Sequence, residues 1–210
     1  MRMRKHGGAV TLAELILLCV VLCVASALFI PSWAASRRKS AEARAQSALT
    51  RIVSAQGVWR QTDLDRNGSQ DYWTLDVAGL YGVQRLTGGP CATIGADVAR
   101  MDSSPAASYS GLQTQPDLGE YALIAMTSDE NKSAYVELTG APITAAPLAG
   151  RVATNTSRYG FCAYPVGSTR KVSAQFVMNE EGVVYRVEGL PAPVVSFSSA
   201  CPPDPPLGHG

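Results

Sequence analysis

The chain has 210 residues, 46% of them apolar and 17% charged, with 18 basic and 17 acidic side chains and a pI near 7.6. That is enough chain for one globular domain plus an extra element, and so even a charge balance gives no footprint for nucleic-acid binding. The two histidines, His6 and His209, lie at the chain ends, where a Ser–His or Cys–His nucleophile is hard to build; with neither a P-loop nor a dinucleotide fingerprint present, the reading is of a protein that is not an enzyme.

The N-terminus carries the strongest pattern. Residues 1–9 are short and basic, with Arg2, Arg4 and Lys5 ahead of Gly7-Gly8-Ala9. Removing a leader that ends at residue 9 takes three of the 18 basic side chains, leaving 15 against 17 acidic ones and a mature charge of about −2. From Val10 to Ala35 the only charge is Glu14. Those residues make about 39 Å of helix, enough to cross a hydrocarbon core of roughly 30 Å. An ordinary secretory signal, cut after Ala25-Ser26-Ala27 or Ala34-Ala35-Ser36, is the competing reading, and it leaves Glu14 without a role.

A carboxylate in a membrane span costs a few kcal/mol unless it finds a partner, so Glu14 is a functional candidate. Cleavage between Ala9 and Val10 creates a cationic amine at the same depth. In a helical assembly, the amine of one subunit pairs with Glu14 of its neighbour, because either charge alone is penalised by burial. The plainer alternative is a Glu that snorkels to the interface. Farther along, Pro31 removes an amide donor and crowds the carbonyl of Ala27, which predicts a kink or break. Arg37, Arg38 and Lys39 follow the span, so the charge flanks do not fix its orientation.

Good helix formers continue the helix to about residue 61. Ala41, Ala45, Ala48, Leu49, Ile52, Val53, Gln56 and Trp59 recur at three- and four-residue steps, a stripe that buries one face on a sheet. Next, Asp63, Asp65, Asn67, Ser69 and Asp71 place oxygen donors at positions 1, 3, 5, 7 and 9 of a calcium loop with Gly68 at the turn. The twelfth position is Thr74, so the bidentate Glu of a full loop is absent. The alternative is an Asn-Gly turn in an acidic loop.

The remainder predicts a β-rich head. Residues 121–127, 134–139, 159–166, 172–178 and 183–187 are strand-like, with turns at 129–132 and 179–182. Residues 88–118 predict a long surface loop, and 201–210 a proline-rich tail. Cys19 and Cys23 act as small apolar residues in the span. Cys91, Cys162 and Cys201 fall in the head, where an oxidising compartment permits one disulfide among three pairings.

The run Gly7-Gly8-Ala9-Val10-Thr11-Leu12-Ala13-Glu14-Leu15 resembles the prepilin motif of type IV pilins and type II secretion pseudopilins. The resemblance implies that a prepilin peptidase cuts after Ala9 and methylates the amine of Val10. It implies that Thr11, Leu12 and Glu14 serve subunit alignment, and that Pro31 is where the helix loosens in a filament. The family usually has Gly before the cut and Phe after it, where this chain has Ala9 and Val10; cutting after Gly8 moves Glu14 one place out of register. Pilin heads often close a C-terminal loop with a disulfide, which favours Cys162 with Cys201.

The expectation is an α+β, pilin-like fold, a long Pro-kinked transmembrane helix packed on an antiparallel sheet. Its parts are a leader (1–9), an assembly half (10–35) and an amphipathic half (36–61) of the helix, a β-rich head (62–200) and the tail (201–210). The expected function is that of a subunit of a type IV pilus or a type II secretion pseudopilus. Its partners are then the prepilin peptidase, other pilin subunits, the assembly platform and the bacterial inner membrane, crossed N-in before assembly. The alternative is a single-pass, membrane-anchored exported protein whose head binds calcium or a partner without polymerising.

Overall fold

The computed structural model describes residues 11–64, 68–86, 94–104, 115, 120–136, 154–167, 174–189 and 192–197, with backbone alone at 28, 29 and 83–86. The chain forms two compact units, residues 1–40 and 41–210. One helix, α1 (Leu12–Thr62), contributes to both. The helix is unbroken through Pro31. Thus the proline, despite its missing donor, does not interrupt helical structure.

In the first unit α1 is apolar on every side from Leu15 to Val24. Leu12, Leu15, Ile16, Leu17, Leu18 and Val20 are each between 50% and 75% exposed. A helix that is apolar all round is not stable against water without a nonaqueous surrounding or a partner, and α1 is long and apolar enough to cross a membrane.

In the second unit the last turns of α1 are amphipathic. Ala41, Ala45, Ala48, Leu49, Ile52, Ala55, Gln56 and Trp59 are buried, and Val53 packs beside them. This is the predicted stripe with Ala55 added. Its apolar side chains join one hydrophobic core with residues of an antiparallel sheet.

That sheet has four antiparallel strands in the order β2 (Tyr121–Ala125), β4 (Gly160–Pro165), β5 (Gln175–Asn179) and β6 (Val184–Val187). Side chains alternate between its faces with the period of two that a strand imposes. Tyr121, Leu123, Phe161, Ala163, Phe176 and Met178 join the core that includes the α1 stripe. Cys162 and Val177 point to the opposite face and cluster with Met126, Tyr135 and Phe197. Arg186, on the helix-facing side of β6, reaches Glu42 of α1 at 3.3 Å.

One strand expectation changes, and one short strand pair forms outside the expected strands. Ala134 makes only an isolated bridge to Ser128; Tyr135 N–H donates to the Thr127 carbonyl, and no longer strand follows among the described residues up to Val136. Asp129 explains why the turn holds without a long ladder: its Oδ1 accepts from the amides of Asn131 and Ser133, a local alternative to sheet pairing. In turn, Tyr72–Trp73 forms a short strand β1 paired with β3 (Thr154–Asn155).

The expected surface loop at 88–118 also differs in its described part. Residues 94–104 carry a helical turn, α3 (Ala96–Ala99), with Ile94, Val98 and Ala99 buried. The following residues cover the β2 edge: Ser103 N–H donates to the Leu123 carbonyl at 2.8 Å, and Leu123 N–H to the Met101 carbonyl at 2.7 Å. A further helix, α2 (Val77–Leu86), precedes them. Its first turn is capped by two carboxylates, Asp76 Oδ1 accepting from Gly79 N–H and Asp102 Oδ2 from Ala78 N–H.

Candidate functional site

The start of α1 is built by two residues of the proposed assembly motif. Thr11 precedes the first helical residue and Glu14 lies in the first turn. Thr11 N–H donates to Glu14 Oε2 at 2.9 Å, and Glu14 N–H donates to Thr11 Oγ1 at 3.3 Å. This is a capping box, which satisfies two of the amides that a helix start leaves without partners. Residues Thr11-Leu12-Ala13-Glu14 thus have a local reason for their spacing, independent of any assembly. Glu14 engages one carboxylate oxygen in this way, while Oε1 makes no hydrogen bond among the described residues.

Leu12 is the most exposed large apolar side chain of the chain's described part at 75%. Toward the other end of the apolar segment, Trp33 is exposed and the Arg37 guanidinium lies 4.7 Å from the centre of its ring. An indole stacked with a cation suits a membrane–water boundary, where one part is wet and the other apolar. From Leu12 to Trp33 the helix rises about 33 Å, close to a hydrocarbon thickness. Cys19 and Cys23 are exposed on this segment. Ser26 returns its hydroxyl to the Leu22 carbonyl at 2.7 Å, hiding a polar group inside the helix.

Ala9 and Val10, the expected cleavage pair, lie outside the described residues, as do Asp65 and Asn67 of the acidic loop and Cys91 and Cys201. The rest of that loop is held by the chain. Asp63 adopts a left-handed φ of 45° and accepts from Gly68 N–H at 3.0 Å. Ser69 is half-buried, whereas Asp71 is buried and accepts from the Trp59 indole at 3.3 Å. Two of the five expected calcium donors therefore already act as hydrogen-bond acceptors for the protein. Cys162 is buried on β4, its Sγ 3.6 Å from Gln175 Oε1.

The capping box was legible in the Thr-x-x-Glu spacing, but the cost of a carboxylate beside an apolar run draws attention to partners outside the chain. No family model matches this chain, and neither curated proteins nor solved structures provide a match. What the fold defines is a class: among the described residues, one helix able to span a membrane, whose far end is built into an antiparallel α+β head.

Proposed function

We propose that this chain is a filament subunit of the type IV pilin or type II secretion pseudopilin kind, processed by a prepilin peptidase and polymerised through α1. The observation that carries it is a helix segment, from Leu15 to Val24, that is apolar on every face and has the carboxylate of Glu14 at its start with an oxygen to spare. An apolar helix of this kind exchanges lipid for the helices of neighbouring subunits without exposing its surface to water. Glu14 then serves twice, holding its own helix start through Thr11 and pairing with the Val10 amine of a neighbour. The pair is favourable where both charges are buried together. Before assembly the chain crosses the inner membrane N-in with its head outside.

The test is the mass of the N-terminal peptide from the native protein. A chain that begins with N-methylated Val10 supports the reading. One that begins at Met1 overturns it in favour of a plain membrane anchor, whose head binds calcium at residues 63–71 or a partner. A start near residue 28 or 36 means an ordinary secreted protein.

A further inference from the structure

The head contains a cavity of about 400 Å³ that the assembly reading does not use. It lies where the turn after Ser128 meets the β5–β6 hairpin. Asp129, Glu130, Glu180 and Glu181 bring four carboxylates to it, and Arg158 brings one cation. Asp129 is committed: besides its two turn amides, it pairs with the Arg158 guanidinium. Glu181 accepts from the Tyr185 hydroxyl at 2.8 Å. Glu130 and Glu180 are exposed and make no hydrogen bond or ion pair among the described residues. With Asp129 and Arg158 cancelling, the lining keeps a strong negative excess.

Acidic turns alone are commonplace on a protein surface, and Tyr135 is what sets this one apart. Its side chain is fully buried, yet its hydroxyl has no hydrogen-bond partner. A buried, unsatisfied hydroxyl carries its full desolvation penalty, and such groups are rare enough to require a reason. Tyr135 is one of the residues that line the cavity, and the charges of Glu180, Asp129, Arg158 and Glu130, all in the same lining, act on its hydroxyl; burial, followed by the negative charge of Glu180, pushes its titration well up. It is therefore a neutral phenol with two lone pairs and a proton, facing a negative field and lacking a partner.

We infer that the cavity binds an alkylammonium group, whose N–H donors reach the Tyr135 hydroxyl oxygen and the carboxylates of Glu180 and Glu130. An ammonium has three donors and no acceptor, which matches two uncommitted carboxylates and one oxygen. Tyr185 and Phe197, an edge-to-face pair with ring centres 5.5 Å apart, give its alkyl stem an aromatic wall. A hard metal ion fits less well. It needs several oxygens converging on one point, and no three acidic, thiol or imidazole side chains converge in that way among the described residues. The ammonium arrives either on a small polyamine or on a lysine side chain of another protein.

Isothermal titration of the full chain in dodecyl maltoside, in phosphate buffer, tests this. The probes are putrescine, Nα-acetyl-lysine methylamide and, as the uncharged control, butanediol. Saturable one-site binding of an amine at millimolar Kd or below is expected, with none for butanediol. Glu180→Gln and Tyr135→Phe should each weaken it about tenfold, whereas Glu188→Gln, outside the cavity, should not change it. Stronger putrescine binding assigns the site to polyamines, and stronger binding of the lysine analogue to a protein side chain; both support it. No saturation by about 50 mM amine overturns it, as does unchanged binding in Glu180→Gln. That variant lies in an exposed turn, so the test survives if Tyr135→Phe does not fold.

Discussion

Thr11 and Glu14 close a reciprocal pair of hydrogen bonds around the first turn of α1, the amide of each meeting the side chain of the other. The pair gives Glu14 two separable properties, an acceptor that starts a helix and a negative charge. A neutral Gln at the same place retains the acceptor, because Gln also completes a capping box.

The substitution series follows from that separation. If the proposed filament reading holds, Glu14→Ala and Glu14→Gln should both be cleaved and should both fail to enter filaments, since that reading has the charge of Glu14 pair with a neighbour's amine. Thr11→Val, which loses the cap but keeps the charge, should weaken the helix start by about 1 kcal/mol and still be incorporated. Filament fractions probed by immunoblot make the comparison. Normal incorporation of Glu14→Gln would leave Glu14 with the cap as its only role.

Gln56 does for the head what a backbone strand does elsewhere. Its carboxamide accepts from Trp73 N–H at 3.0 Å and donates to the Trp73 carbonyl, so one buried side chain pairs with a whole peptide unit. Trp73 in turn donates its indole N–H to the Asp76 carbonyl and packs 5.3 Å from Trp59. Gln56→Leu keeps the volume but strands two buried backbone groups. A loss of about 2–4 kcal/mol is expected, visible as a lower urea midpoint for the full chain in detergent. A loss under about 0.5 kcal/mol would show that water takes over both groups.

Asp102 predicts an unusual pH dependence. It is fully buried, and burial, reinforced by the nearby Asp76 charge, pushes its carboxyl up to about 6 from the ordinary 3.8. A carboxyl raised in the folded state holds a proton that the unfolded chain has already lost. Its contribution is therefore greatest below 3.8, declines as pH rises from 3.8 to 6, and stays lost above that. The size is about 3 kcal/mol. Asp97 runs the other way: hydrogen bonding from Arg51 holds it below its ordinary value, so its contribution disappears on strong acidification. It is largely exposed, which keeps that effect small. Unfolding midpoints should thus rise between pH 7 and about 4.5, and Asp102→Asn should flatten the slope whatever it does to absolute stability. A wild-type midpoint that falls over this range would remove the buried proton from the account.

Where sequence and fold agree, the causes are local. The α1 stripe is legible because one helical period governs Ala41 through Trp59. The β5–β6 hairpin is legible because Gly182, at φ 74°, closes the turn with its N–H on the Asn179 carbonyl. What escapes is set by residues distant in the chain. The start of α2 depends on Asp102, 24 positions beyond Ala78. The acidic cavity joins segments near 129, 158 and 180, and nothing in any one of them marks it. At Tyr135, an expected strand yields to a side chain whose apolar ring completes the far face of the sheet.

Gly160 supplies the last prediction, because it fixes where that ring sits. A Cβ built there comes 2.7 Å from Tyr135 Cε2, closer than atoms can approach without movement. The ring has little room, being packed with Met126, Cys162, Val177 and Phe197. The backbone of Gly160 is equally fixed, accepting from Met126 N–H at 2.9 Å while the residue pairs with Asn179 across β5. Gly160→Ala should therefore cost about 1–3 kcal/mol through overpacking. Tyr135→Ala should cost about 3–5 kcal/mol through the lost ring. If contact between the two is the cause, the double variant recovers the overpacking term, and its cost falls short of the sum by at least about 1 kcal/mol. Additive losses in a denaturation cycle would place the penalty of Gly160→Ala in the strand itself.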